Sequence, residues 1–182
     1  QFLIHTKYLC DRKTGLWYHG WTFLEAHNYA NALWARGNCW ITIAIPEFLE
    51  ITNEPDGAVR RFLIELLKHQ IDTLANYQDA NGLWHTIINE PDSYLEASGS
   101  AGFAYGILRA LHMHLIDSSY LETAAKPLAS LLDLIDKDGL VHQVSIGTQR
   151  RVLQTDSFGH HALWTGISYA LYYRIYERIN TQ

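Results

Sequence analysis

The sequence has little cysteine, few charged residues and no apolar run long enough to cross a membrane. Two cysteines in 182 residues cannot form a disulfide framework, and no Cys-x-x-Cys pair is present to hold a metal. Lys and Arg number 14 against 19 Asp and Glu, so no basic excess is available to neutralise phosphates or anionic lipids. The longest apolar runs, such as residues 40–46, are far shorter than a membrane span. We therefore expect a protein that binds neither nucleic acid nor membrane.

Methionine is scarce as well, since Met113 is the only one. A chain without an initial methionine is expected to be cropped, processed or part of a longer protein. Residues 1–8 lack the basic start and apolar centre of a secretory signal peptide, and two thiols fit a reducing compartment. We therefore expect a cytoplasmic location and free thiols, with one disulfide between Cys10 and Cys39 as the alternative.

The sequence is rich in apolar and aromatic residues, and one short phrase recurs within it. The apolar share is 48% and the aromatic share 13%, which is typical of a globular domain. A polar residue, Gly, Leu, then Trp or Val, and finally His occur in order at residues 14–19, 81–85 and 138–142. An interval of roughly sixty residues suits a helical hairpin with a substantial loop.

The segments around each phrase also repeat. Residues 59–77 and 121–135, which precede the second and third phrases, carry apolar side chains along one helical stripe and predict amphipathic outer helices. Residues 38–51, 98–116 and 160–179, which follow the phrases, are apolar on nearly all sides and predict buried inner helices.

These repeats predict an all-α fold built from about three helical hairpins. Stacked around an axis, such units form a toroid in which inner helices line the centre and the loops at their N-termini meet on one rim. Because toroids of this kind have six units, residues 1–182 are interpreted as a single partial domain, half of an (α/α)6 toroid. A three-hairpin array that is complete in itself is the alternative.

The start of the first inner helix combines aromatic and cationic side chains. Arg36 at a helix N-terminus presents a planar set of donors that suits a carboxylate, and the helix dipole favours an anion there. Trp34 and Trp40 offer flat faces to a sugar ring, and His19 and Asn38 add polar groups. The alternative is that the tryptophans fill the core and that Arg36 pairs with an acidic neighbour.

The second and third inner helices begin with other polar groups. Ser98 and Ser100 stand among small residues and either contact a substrate or, in the case of Ser98, cap the helix. The nearby glycines fit neither G-x-G-x-x-G nor G-x-S-x-G. Asp156 is either a site carboxylate or an N-cap residue. No set of His and Cys residues has zinc spacing, so we predict no metal site.

Together these phrases resemble glycoside hydrolase family 105, the unsaturated rhamnogalacturonyl hydrolases, which are related to the unsaturated glucuronyl hydrolases of family 88. The resemblance follows essentially the whole chain and corresponds to the C-terminal half of such an enzyme. It depends on three runs: Gly15-Leu16-Trp17-Tyr18-His19-Gly20-Trp21, Trp34-Ala35-Arg36-Gly37-Asn38-x-Trp40 and Tyr94-Leu95-Glu96-Ala97-Ser98-Gly99-Ser100-Ala101. It implies an (α/α)6 barrel, in agreement with the repeats.

The resemblance also implies a substrate and a reaction. The substrate is a pectin-derived rhamnogalacturonan oligosaccharide that ends in a 4,5-unsaturated galacturonyl residue. An Asp protonates C4 of the enol ether, water adds at C5, and the hemiketal opens to release the next sugar, with no metal or organic cofactor. The implied substrate-binding positions are His19, Trp34, Arg36, Asn38, Trp40, Ser98 and Ser100.

The chain departs from this family pattern in its catalytic residue. The general-acid Asp of the family lies in a W-x-D phrase that residues 1–14 do not contain, and Asp11 lies in a turn and is not assigned this role. We therefore expect the catalytic Asp upstream of Gln1. One hypothesis is an enzyme whose N-terminal half is an absent segment or a partner chain. The other is a truncated, non-catalytic remnant that self-associates, for example as a homodimer, or binds acidic sugars.

Overall fold

The structure is a computed structural model that describes residues 1–28, 30–52 and 56–145. In these ranges the α-helices are α1 (Phe2–Leu9), α2 (Ala35–Ile51), α3 (Ala58–Asn76), α4 (Ala97–His112), α5 (Leu121–Ala125) and α6 (Pro127–Asp133). A 3₁₀-helix at Ser118–Tyr120 precedes α5, and the short strands β1 (Trp84–His85) and β2 (Leu95–Glu96) pair antiparallel. The fold is mostly helical, as predicted, with one small sheet that was not predicted.

Inner and outer helices differ sharply in burial. In α4, 13 of 16 residues are buried, whereas α3 buries only five of its 19, so α4 is enclosed and α3 has a solvent-exposed face. The inner helices α2 and α4 pack on each other, α3 packs on α2, and α5 and α6 pack on α4. The predicted alternation is confirmed for α3 and α4, whereas α2 buries only eight of its 17 residues and leaves Trp40 and Ile51 exposed, so it is less enclosed than predicted. The third inner helix, predicted over residues 160–179, lies outside the described residues.

Three predicted boundaries were wrong. The helix α2 begins at Ala35 rather than at residue 38, because Trp34 has extended backbone angles and is the N-cap. The helix α4 ends at His112 rather than at residue 116, and the backbone reverses at His114, which has a φ of 55°. The third outer helix is divided into α5 and α6, and Pro127 starts α6, a position that proline favours because its missing N–H would have no intrahelical partner there.

Each repeated phrase forms the same kind of turn around an aspartate. The backbone N–H groups of Asp11, Asp79 and Asp136 each donate to the carbonyl of the Leu that follows the turn glycine, at 2.8–2.9 Å. Each side chain also accepts a backbone N–H two residues later, at 2.9–3.1 Å. The turn glycines have φ between +69° and +89°, a region that L side chains avoid. The repeat is therefore structural as well as sequential, and Asp11 has a turn-forming role.

The main core lies between α2, α3 and α4. It includes Ile45, Leu67, Ile71, Ile107 and Leu108, all fully buried, and each such side chain contributes about 1.5–3 kcal/mol to folding. Cys10 and Cys39 are both free thiols, so the disulfide alternative was wrong. None of the helices in the described ranges combines the length and the apolar character that a membrane span requires.

Candidate functional site

The structure brings together three of the predicted site residues around the indole of Trp34. Trp34 is only 8% exposed and stands immediately before α2. The imidazole of His19 lies edge-on to the indole with ring centroids 5.0 Å apart, and the Cζ of Arg36 lies 4.9 Å from the ring centroid. His19 and Arg36 are therefore both positioned by contact with one buried aromatic side chain.

Arg36 is available for an anion. Within residues 1–28, 30–52 and 56–145 its guanidinium makes no ion pair, so the alternative of an acidic neighbour is not realised there. It lies in the first turn of α2, where the helix dipole favours negative charge. Because Arg36 lies over the Trp34 ring, the planar edge of its guanidinium can donate two hydrogen bonds to a carboxylate.

His19 and Trp40 provide the more accessible groups of the site. His19 is exposed, but partial desolvation lowers the pKa of its imidazole below the ordinary value of 6.5, which favours the neutral form at pH 7. Trp40 is 49% exposed and lies one helical turn after Arg36, on the same face of α2. The arrangement thus combines a cation, a neutral imidazole and an accessible indole.

Asn38 has a structural role in this conformation. It is fully buried, and its Oδ1 accepts from the backbone N–H of Trp17 at 2.7 Å. Its Nδ2 donates to the carbonyls of Trp17 and Trp34 at 2.8 and 2.9 Å. Both N–H donors of the Asn38 amide thus bond to backbone carbonyls, so neither donor is left for the predicted hydrogen bond to substrate.

Gln70 extends this network to the outer helix and was not among the predicted site residues. Its Nε2 donates to the backbone carbonyl of Asn38 at 3.1 Å, and its Oε1 accepts from the hydroxyl of Thr42 at 2.9 Å. Gln70 is fully buried in α3 between Leu67 and Ile71. A polar residue inside the apolar stripe of an amphipathic helix was the signal that could have identified it.

Glu96 caps α4, whereas Ser98 was the predicted candidate for this role. The carboxylate of Glu96 is fully buried and accepts from the backbone N–H of Ser98 at 3.2 Å and from that of Gly99. Ser98 also donates its hydroxyl to Glu96, and Ser100 donates to the Glu96 carbonyl at 2.6 Å. Both serine hydroxyls therefore hold the start of α4. The signal for Glu96 was an acidic residue directly before a helix start.

Three loops meet at Trp34. The backbone N–H of Ala35 donates to the carbonyl of Thr86 at 2.9 Å, which joins the first inner helix to the loop after the second repeated phrase. The indole Nε1–H of Trp34 donates to Oγ of Ser145 at 3.3 Å, in the segment after the third phrase. The prediction that the loops converge on one rim is thus confirmed for these segments.

The third predicted cluster cannot be placed in this site. Asp156 and its neighbouring histidines lie outside the described residues. Where the structure does describe the chain, no three His, Cys, Asp or Glu side chains gather in a way that could hold a metal ion.

Comparison with known families and proteins gives a consistent result. A model described as "Glycosyl Hydrolase Family 88" matches residues 1–169. A curated protein of Bacillus subtilis strain 168, named "Unsaturated rhamnogalacturonyl hydrolase YesR", is 35% identical over 155 residues. That match covers 81% of this chain and 41% of the relative.

Two solved structures resemble the chain closely. One is described as a "possible member of GH105 family" from Salmonella enterica serovar Paratyphi A, with a TM-score of 0.86, 41% identity, and coverage of 98% of this chain and 49% of that chain. The other, from Klebsiella pneumoniae, has the same TM-score, 42% identity and coverage of 98% and 48%. Such proteins are (α/α)6 toroids, of which this chain covers about half, so the predicted fold class is confirmed.

Proposed function

Because the chain belongs to Glycosyl Hydrolase Family 88, we propose that it binds the unsaturated uronate of a pectin-derived oligosaccharide as part of an unsaturated rhamnogalacturonyl hydrolase. The name of the Bacillus subtilis relative supports this substrate class. Since the chain spans 41% of that relative and about half of the two solved structures, the complete reaction is proposed for the whole protein.

The observation that carries the proposal is the placement of Arg36 over Trp34 at the first turn of α2. A uronate has a carboxylate attached to a sugar ring, so it needs a cation and an apolar face close together. Arg36 supplies the cation, and Trp40 exposes an indole one turn later on the same face. The neutral imidazole of His19 is suited to a hydrogen bond with a ring hydroxyl.

The first experiment follows the reaction directly. The hydration removes the carbon–carbon double bond, so it is measured as loss of ultraviolet absorbance from an unsaturated galacturonyl-rhamnose disaccharide. We expect the protein expressed from its complete reading frame to remove this absorbance. Arg36→Ala should lower kcat/KM about 100-fold, because hydrogen bonds to a charged group contribute about 1.5–3 kcal/mol. Absorbance that stays constant with the unmodified protein would refute the proposed function.

Arg61→Ala is the matched control for Arg36→Ala. Arg61 pairs with Asp56 at 3.9 Å on the exposed surface, and loss of such a pair has little effect on stability. We expect kcat/KM to stay unchanged in this variant. An equal loss in both arginine variants would show that general charge, rather than the Arg36 site, determines activity.

A second experiment tests which group of the ligand Arg36 contacts. The unsaturated disaccharide is compared with its methyl ester, which keeps the ring and the double bond but lacks the negative charge. We expect the unmodified protein to bind the acid at least tenfold more tightly than the ester, and Arg36→Ala to bind both equally weakly. A preference for the acid that survives Arg36→Ala would place the carboxylate elsewhere.

The proposal also includes a catalytic residue, a general-acid Asp that we expect upstream of Gln1. The cytoplasmic location is a separate prediction. If the upstream reading frame encodes a W-x-D phrase, changing its Asp to Asn should abolish the absorbance loss while the disaccharide still binds. A complete reading frame without such a phrase would favour the non-catalytic remnant that binds acidic sugars.

A further inference from the structure

Ser145 links the aromatic side chain of the candidate site to a buried carboxylate. Its hydroxyl accepts the indole N–H of Trp34 at 3.3 Å, and its backbone N–H donates to Oε1 of Glu96 at 3.0 Å. Ser145, Trp34 and Glu96 are all buried, so the hydrogen bonds between them are shielded from water. Neither Ser145 nor Glu96 was proposed above to contact substrate.

The Trp34 backbone is fixed independently of this link. The N–H of Ala35 donates to Thr86 O at 2.9 Å, and the N–H of Ile88 donates to Leu33 O at 3.0 Å, so the chain on both sides of Trp34 is held by the second loop. The remaining freedom of Trp34 is rotation of its side chain. The indole has one polar atom, Nε1–H, and Ser145 is its acceptor.

Glu96 in turn anchors the segment that carries Ser145. Besides the bond to the Ser145 N–H, the N–H of Ala97 donates to Gln143 O at 2.8 Å. Gln143 has a φ of 56°, in the left-handed region that non-glycine residues rarely adopt. A backbone held in such a conformation persists only when its surroundings enforce it, and here the contacts with the start of α4 do so.

We propose that Glu96 and Ser145 are positioning residues, which fix the Trp34 indole and through it place Arg36 and His19 for a uronate. The proposal rests on the proposed function for the identity of the ligand. Arg36 and His19 both contact the indole, at 4.9 and 5.0 Å, so a rotation of Trp34 changes the position of both. The buried carboxylate of Glu96 therefore acts on the site through Ser145 and Trp34.

The competing interpretation is that Glu96 only caps α4. The two interpretations differ at the Ser145 hydroxyl, which contacts Trp34 but takes no part in the cap. Ser145→Ala removes this hydroxyl and leaves the backbone N–H that donates to Glu96. Ser145→Thr retains a hydroxyl and serves as the rescue variant. Ser130→Ala is the control, because Ser130 in α6 donates to Asn81 O at 2.8 Å, in the turn of the second repeated phrase.

The main readout is the Trp34 indole N–H, observed by NMR in the protein expressed from its complete reading frame and assigned with Trp34→Phe. We expect Ser145→Ala to raise its solvent-exchange rate about fivefold to tenfold, which corresponds to one buried hydrogen bond. The His19 pKa should rise toward its ordinary value, because a displaced indole no longer desolvates the imidazole. Ser145→Thr should restore both values in part, and Ser130→Ala should change neither.

Kinetics provides a second readout. We expect Ser145→Ala to raise KM for the unsaturated disaccharide about fivefold with kcat changed less than twofold, because misplaced binding groups weaken ground and transition states alike. If the unmodified protein has no activity on this disaccharide, the proposed function fails, while indole exchange and the His19 titration still test the positioning role. Unchanged indole exchange in Ser145→Ala would overturn the proposal.

A double-mutant cycle tests whether Glu96 acts through Ser145. In the Glu96→Ala background the Ser145 N–H has already lost its side-chain acceptor, so Ser145→Ala should raise indole exchange less than twofold further. Additive effects of the two substitutions would overturn the relay and leave Glu96 as a helix cap. If Glu96→Ala does not fold, the single Ser145→Ala variant still decides whether Ser145 positions Trp34.

Discussion

The two inner helices in the described ranges, α2 and α4, begin at equivalent places in the repeat but have different N-termini. At α4 the carboxylate of Glu96 accepts the N–H groups of Ser98 and Gly99, so the chain supplies its own anion to the helix dipole. At α2 the N-cap is Trp34, whose side chain makes no capping hydrogen bond, and Arg36 lies in the first turn. One end is closed by an internal carboxylate, and the other is suited to a carboxylate that arrives with a ligand.

The open end of α2 needs other support because it has no side-chain cap. Asn38 supplies this support from inside the helix by pairing with both backbone polar groups of Trp17. Gln70 of α3 holds the Asn38 carbonyl, and the Ala35 N–H is satisfied by Thr86. The comparison of α2 with α4 shows that a helix start can lack a side-chain cap when buried neutral side chains support it from inside the fold.

The largest loss of stability is expected from removing the Glu96 carboxylate that caps the N-terminus of α4. Glu96→Ala leaves the N–H groups of Ser98, Gly99 and Ser145 without their buried acceptor. Each unsatisfied buried donor costs about 1–3 kcal/mol, so we expect the free energy of unfolding to fall by about 4 kcal/mol, measured by urea denaturation. Glu122→Ala, which removes an exposed carboxylate from the first turn of α5, should change it by less than about 0.5 kcal/mol. Equal losses would mean that α4 does not depend on its carboxylate.

A smaller loss is expected from removing the support of the open end. Asn38→Ala leaves both polar backbone groups of Trp17 unpaired, and we expect it to lower the free energy of unfolding by about 3 kcal/mol. The matched variant is Asn81→Ala, which should cost less than about 1 kcal/mol, since the side chain of the exposed Asn81 accepts the N–H of Leu83 and its backbone contacts remain. If Asn38→Ala lowers the free energy of unfolding as little as Asn81→Ala does, then Asn38 does not support the start of α2.

A methyl group added at the α4 N-terminus should destabilise the protein more than one added at the α2 N-terminus. A Cβ at Gly99 would lie 2.7 Å from Oε2 of Glu96 and 3.0 Å from the Ala35 backbone, so Gly99→Ala should destabilise the protein by about 2 kcal/mol. At Gly37 the nearest atom is Cε3 of Trp34, at 3.2 Å, and the better helix propensity of alanine offsets part of that strain. Gly37→Ala should therefore cost less than half as much in urea denaturation. The reverse order would show that the open end is the more tightly packed one.

The sequence predicted the fold better than it predicted the contacts at these two ends. Apolar periodicity and the recurring glycine phrase depend on residues close in the chain, and they correctly indicated α3, α4 and the turns. The role of Asp79 in its turn was not predicted, because Asp79 lies outside the recurring phrase, before the polar residue that precedes the glycine. The division between α5 and α6 was missed because Pro127 was not treated as a helix start.

At the site, the types of residue were predictable and their partners were not. Trp34, Arg36 and His19 were proposed together, and the structure places them around one indole. Asn38 was proposed to bind substrate, yet it pairs with Trp17, 21 residues away. The bond between Trp34 and Ser145 spans 111 residues. Such contacts follow from how the loops pack, which no local pattern in a single sequence records.

The smallest expected effect is a pH dependence confined to the open end. Desolvation lowers the pKa of His19 in the folded protein, so the unfolded chain binds more protons near pH 6. The stability contributed by neutral His19 is therefore fully present above pH 6.5 and is lost as the pH falls through the lowered folded-state value. Because the imidazole is exposed and solvent screens it, we expect His19→Gln to reduce the stability lost between pH 7.5 and pH 5 by only about 0.3 kcal/mol. Paired urea denaturations at the two pH values measure this difference. A larger loss in His19→Gln than in the unmodified protein would show that the folded protein favours the charged imidazole, as it would with a carboxylate of the chain close by. The open end would then already contain the anion that we assign to the ligand.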